Sequence, residues 1–204
     1  MKVKVEIITG FLGSGKTSFI NAYANTFKEE DKPYIIYLEK GNKKIDNKYK
    51  QSYVKSLEEF EKLFEEINII NNKNILIEHN GTIELKEISD ILLKSKIKQK
   101  INFYGVYFVG NYENFNFIVK NIGEIIIPFI QSSKILILNN YNNVDKEERS
   151  KTLEIIKEIN LNGQIIEISS LDNIEREIKR SKYFKSFKIN EIIRGFIKGE
   201  NNGN

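Results

Sequence analysis

Residues 10–17 read Gly10-Phe11-Leu12-Gly13-Ser14-Gly15-Lys16-Thr17. They fit the pattern G-x-x-x-x-G-K-[ST] at every fixed position. The stretch before them, Val3 to Thr9, is β-branched and apolar, as a buried strand requires. Ser18 to Phe27 reads as the helix that follows. A strand, a glycine loop and a helix N-terminus together form an anion site, because loop N–H groups converge and the helix dipole adds partial positive charge. The expected contacts to a nucleoside triphosphate are Gly10, Gly13, Ser14, Gly15, Lys16, Thr17 and Ser18. Backbone N–H groups of Gly13 to Thr17 cradle the β-phosphate, Lys16 bridges the β- and γ-phosphates as a point charge, and the Thr17 hydroxyl ligates Mg²⁺.

Composition narrows the chemistry. The chain has 204 residues and is 40% hydrophobic, enough for one core. No run of eighteen apolar residues is present, and no signal-like segment precedes the first strand, so a cytoplasmic location is expected. There is no cysteine, which excludes thiolate metal sites, disulfides and thiol catalysis. A single histidine, His79, excludes a histidine cluster. Any divalent ion must therefore sit on oxygen ligands, which suits Mg²⁺. The net charge of +4 comes from 32 basic and 28 acidic residues mixed along the chain. The lysines between 94 and 100 read as a solvated helix end rather than a nucleic-acid contact.

Outward from the loop, strands and helices alternate. Strands are expected at 33–39, 74–78, 101–109, 134–138 and 164–169. Helices are expected at 56–69, 85–93, 114–121, 122–130 with Pro128 as an interruption, 145–159, 171–179 and 189–197. Residues 40–51 read as a polar loop and 199–204 as a flexible tail. Alternation of this kind specifies an α/β fold, a mostly parallel sheet with helices on both faces and ligand at the carboxyl ends of the strands. The expected division is a P-loop NTPase domain over 1–187 and a C-terminal helix and tail over 188–204.

Two further regions carry candidate chemistry. Glu78 closes a short apolar strand and precedes His79-Asn80-Gly81. A carboxylate there can hold the Mg²⁺ shell or orient the attacking water, and Gly81 can offer its N–H to the γ-phosphate. His79 by itself reads as structural or solvent-exposed rather than catalytic. Glu39 and Asp46 flank the polar loop, from which either could approach the metal.

In order along the chain these segments resemble the CobW-like GTPases, relatives of the nickel-delivery GTPases of urease and hydrogenase maturation. Glu39-Lys40-Gly41 with Ile45-Asp46 is similar to that family's Asn-Glu-x-Gly…Asp segment, and Ile75 to Gly81 to its Ile-Glu-Thr-Ser-Gly segment. Gly105-Val106 through Phe115, Gln131 through Asn142, and Asn160 through Ser169 resemble its later strands and turns. The resemblance spans about residues 2 to 175. It implies a Mg²⁺-dependent GTPase with Lys16, Glu78 and Asp46 as catalytic groups. Thr17, Glu39, Asp46 and Glu78 are then its metal ligands, and a protein partner or second copy of the chain supports turnover.

The departures from that family are specific. Its Cys-x-Cys-Cys metal motif, due between Asp46 and Glu78, is absent, and its usual C-terminal domain has no expected counterpart. Its guanine-reading Asn-Lys-x-Asp aligns with Asn139-Asn140-Tyr141-Asn142. An aspartate accepts both guanine N–H donors, whereas an asparagine amide offers one acceptor and one donor, a set that matches adenine. The mismatch is worth roughly 1–3 kcal/mol of guanine preference. A second register, Asn142-Asn143-Val144-Asp145, restores an aspartate but begins beyond the strand end. The expected ligand is thus GTP with weakened selectivity, or ATP. A non-hydrolytic nucleotide-dependent binding module is the alternative function. A small-molecule kinase fits less well, because no arginine precedes Arg149.

Overall fold

A computed structural model of the protein describes residues 2–38, 49–66, 72–79, 84–181 and 184. Its strands are β1 (Val3–Thr9), β2 (Tyr34–Tyr37), β3 (Gln51–Tyr53), β4 (Asn74–Glu78), β5 (Ile101–Asn111), β6 (Ser133–Asn139) and β7 (Gln164–Glu167). They form a seven-stranded sheet in the order β3-β2-β4-β1-β5-β6-β7, with every neighbouring pair parallel. The helices are α1 (Lys16–Ala24), α2 (Leu57–Glu65), α3 (Leu85–Leu93), α4 (Ser95–Lys98), α5 (Phe115–Gln131), α6 (Lys146–Ile159) and α7 (Ile174–Arg180).

All seven residues of β1 are buried, because the strand lies mid-sheet and is covered on both faces. Side chains alternate across it. Val3, Val5 and Ile7 join a core built with Phe60 and Phe64 of α2, Ile88 of α3 and Phe115 of α5. Ile8 joins the opposite core with Phe19, Ile20 and Tyr23 of α1 and Ile174 and Ile178 of α7. The two layers hold the end of β1, and hence the loop after it, in a fixed position.

One element of β1 departs from the apolar reading. Glu6 is fully buried on the α1 side. Its carboxylate accepts hydrogen bonds from the hydroxyls of Tyr23, at 3.2 Å, and Tyr107, and pairs with Lys4 at 3.3 Å. The charge is tolerated because these groups replace the water it gives up. The network ties α1 and β5 to β1.

The boundaries sharpen those expected from sequence. The loop predicted over 40–51 lies outside the described residues up to position 48, its last residue opens the short edge strand β3, and α4 was not anticipated. Pro128 does not interrupt its helix. The break falls at Ile122 (φ −135°, ψ 31°), where the two expected helices meet within α5. Pro128 and Glu124 are exposed, so water can serve the Glu124 carbonyl that proline leaves without a donor. Lys94 pairs with Glu61 at 2.6 Å, in keeping with a solvated lysine cluster. Among the described residues no helix is long and apolar enough to cross a membrane. The expected helix and tail over 188–204 lie outside the described residues, as do positions 67–71 of the helix expected over 56–69.

Tyr107→Phe should destabilise the fold by about 1–3 kcal/mol, because it removes a donor from a buried carboxylate. Urea denaturation measures this, and an unchanged midpoint would show that the network carries no stability.

Candidate phosphate and cation site

The loop between β1 and α1 is held in a conformation that only its glycines permit. Gly10 has φ +147°, and a Cβ there would lie 2.1 Å from the Val109 carbonyl oxygen of β5. Gly15 has φ +92° and caps α1, and a Cβ there would meet Leu171 at 2.8 Å and the Asn139 amide at 3.0 Å. The backbone is thus wedged between neighbouring elements, and the Ser14 N–H closes a turn onto the Phe11 carbonyl at 3.1 Å.

Lys16 folds back over the loop and donates to the carbonyls of Gly10 and Phe11, each at 2.9 Å. Its ammonium is almost wholly buried. Burial lowers its pKa, and the Glu78 carboxylate opposes that shift. Thr17, on the first turn of α1, donates its hydroxyl to both Glu78 oxygens, at 2.9 and 3.2 Å. Glu78 stands at the end of β4, in register with Ile8 of β1 and Tyr37 of β2. Burial raises its pKa, while the Thr17 hydrogen bond and Lys16 pull it down. The Ser14 hydroxyl is buried within the loop with no hydrogen-bond partner. A hydroxyl and a carboxylate in contact at the head of a helix form an oxygen-only donor set, which fits Mg²⁺.

Asn139, at the end of β6, is fully buried and donates its amide to the Ser14 carbonyl at 2.6 Å. It therefore locks the phosphate loop to the segment expected to read the base. Asn140 follows with φ +63° and donates to Glu113 at 3.0 Å. Hydrogen bonds from Asn111, Asn143 and Asn140 hold the Glu113 carboxyl below its ordinary range. Asn142 lies in the short 3₁₀ turn Tyr141–Asn143, exposed at the same rim. Asp145, the aspartate of the second register, accepts the Glu148 N–H at 2.8 Å as the N-cap of α6. That role ties its carboxylate to the helix and leaves the first register facing the rim.

Sequence reasoning missed several groups around this site. Arg149 lies with its guanidinium 4.3 Å above the Tyr141 ring and donates to Glu167 at 2.7 Å, and Tyr112 also donates to Glu167. This brace fixes the base-side turn from α6. His79 is fully buried, with Nδ1 2.8 Å from the Thr9 hydroxyl and its ring edge-on to Phe129. It links the ends of β1 and β4, the structural half of the expectation for this residue. None of these partners is separated by a recognisable sequence spacing. Ser18 sits half-buried on α1 beside Thr17. Glu39, Asp46 and Gly81 lie outside the described residues.

Because burial raises the Glu78 pKa, the folded state favours its protonated form. The stability this confers is full below the ordinary carboxylate value of 4.5 and is lost as pH rises through the raised value. Glu78→Gln keeps an acceptor for Thr17 and removes the charge. The variant should therefore be more stable than wild type at pH 7–8, with the advantage disappearing toward pH 4. Thermal melts across that range measure it, and a pH-independent difference would contradict the assignment.

A sequence model described as the CobW/HypB/UreG nucleotide-binding domain matches residues 4–167. No curated protein matches the sequence. Among solved structures, Zn(II)-bound YjiA GTPase from E. coli resembles it with a TM-score of 0.66 at 16% identity, over 81% of this chain and 57% of that one. The present chain thus spans less than two thirds of the YjiA structure. Hydrogenase maturation factor HypB from Archaeoglobus fulgidus resembles it with a TM-score of 0.56 at 18% identity, over 96% and 90% of the two chains. HypB from Helicobacter pylori, solved in complex with nickel, gives 0.58 at 11% identity, over 95% and 88%. At these identities the structural likeness is one of fold. The sequence match covers β1 through β7, and by it the chain belongs to the CobW/HypB/UreG nucleotide-binding domain family.

Proposed function

We propose that the protein binds a Mg²⁺·nucleoside triphosphate and hydrolyses it slowly, as a GTPase of the CobW-like group with weakened guanine selectivity. The observation that carries this reading is the contact of Thr17 with Glu78 beside the buried Lys16. Lys16 would leave its loop carbonyls in part to meet the β- and γ-phosphates. Thr17 and Glu78 would hold the cation, which supplies charge neutralisation at the transferring phosphate when bound. Glu78, with Asp46 from the segment after β2, would position water. Glu39 is a further candidate for the metal, and Gly81 for the γ-phosphate.

Base readout would fall to Asn139, Asn140 and Asn142. Asn139 already donates to the loop, so its contribution to a base is positional. Asn142 offers a mixed donor and acceptor edge where the family pattern has two acceptors, which supports relaxed choice between GTP and ATP. Thiol chemistry, with or without a metal, is excluded by composition.

A second reading is a nucleotide-dependent binding module without significant turnover. It is favoured by the placement of Arg149. The first arginine in the chain is engaged with Glu167 and Tyr141 rather than with the phosphate loop. Turnover would then await a group from a protein partner or a second copy of the chain.

Lys16→Ala separates these readings from a bystander loop. It should reduce triphosphate affinity and any turnover by about a hundredfold, as loss of a charge-assisted phosphate contact implies. Phosphate release and equilibrium binding measured together check this. Unchanged binding would remove the phosphate assignment, and wild-type binding without release over hours would favour the second reading.

A further inference from the structure

Tyr37 ends β2 directly beside Glu78, its register partner on β4. Parallel strands place paired residues on one face. Tyr37 and its neighbour Ile35 belong to the core beneath α1, as does Leu76, two residues before Glu78. The Tyr37 ring stacks on Tyr53 of β3, with centroids 4.7 Å apart and planes 15° apart. It is 3% exposed, and its hydroxyl has no hydrogen-bond partner. A buried hydroxyl left without a partner is unfavourable, and phenylalanine would fill the same space without that burden. An apolar residue at this position would also continue the buried strand.

The residue that carries the orphan hydroxyl is therefore the register neighbour of Glu78, on the sheet face where Thr17 meets that carboxylate. We propose that Tyr37 is a ligand-facing donor of this subsite, giving its hydrogen bond to an oxygen bound beside Glu78, either a water of the cation's shell or a terminal phosphate oxygen. The inference rests on the nucleotide reading above and adds a residue to it. The stack on Tyr53 fixes the ring, so the donor is pre-organised and ordering it on binding requires little entropy.

Tyr37→Phe tests this, with affinity for GDP and for the non-hydrolysable imido analogue of GTP measured by calorimetry in Mg²⁺ and in EDTA. The apo melting temperature should be unchanged or higher, and affinity in Mg²⁺ should fall about tenfold. A loss shared by diphosphate and triphosphate in Mg²⁺ assigns the acceptor to the cation's water shell. A loss confined to the triphosphate assigns it to the terminal phosphate. Tyr53→Phe, which keeps the stack and alters the half-exposed partner, should change neither quantity. Unchanged affinity for Tyr37→Phe, an equal loss in Tyr53→Phe, or a lower apo melting temperature overturns the inference. If the wild-type chain binds no nucleotide at all, the nucleotide reading fails first, a result distinct from normal binding by the variant.

Discussion

The hydrogen bond from Thr17 to Glu78 joins the first turn of α1 to the end of β4, and the remaining site geometry depends on it. It lies at the carboxyl end of the central strands, where β1, the glycine loop and the start of α1 converge. Lys16 lies one residue away with its ammonium turned onto the loop. Asn139 reaches the same loop from β6, and His79 ties the backs of β1 and β4 together through Thr9. The ends of β1, β4 and β6 are thus tied together around one loop. The buried Lys16 ammonium and the half-buried Glu78 carboxylate are thereby gathered at one point beside the loop. Desolvation shifts both groups toward their neutral forms.

Much of this was legible in the sequence because it depends on local rules. A motif with fixed glycines, an apolar strand before it and a helix after it determines a backbone without reference to the rest of the chain. The central strands were legible for the same reason, since burial on both faces demands continuous apolar runs. Glu6 was not, because a charge inside such a run is made tolerable by Lys4, Tyr23 and Tyr107, which are distant or unremarkable in sequence. The Arg149 brace and the Glu113 clamp were missed on the same ground. Pro128 misled in the opposite direction: its cost is set by whether water reaches one carbonyl, and only the three-dimensional exposure decides that.

The base side of the site differs in character from the phosphate side. On the phosphate side Lys16 is buried, and Thr17 and Glu78 are half-buried and in contact with each other. On the base side Asn140 and Asn142 lie at the rim, and the turn that carries them is shaped by Glu113 from one direction and Arg149 from the other. Rigidity there comes from the supports rather than from the reading residues. Substitution of Asn140 or Asn142 can then change this rim without touching the loop of Lys16, whereas Asn139 is tied to that loop. The chain's lack of cysteine likewise leaves the nucleotide site intact while removing thiolate cargo chemistry.

The central claim is that a complete triphosphate and cation grip is paired with relaxed base choice. Calorimetric titration of the wild-type chain with Mg²⁺·GTP and Mg²⁺·ATP tests it most directly. The account predicts saturable binding of both, with affinities within about a hundredfold of each other. Absence of binding by either nucleotide at millimolar concentration, or a GTP preference of about 10⁴-fold or more, would contradict it.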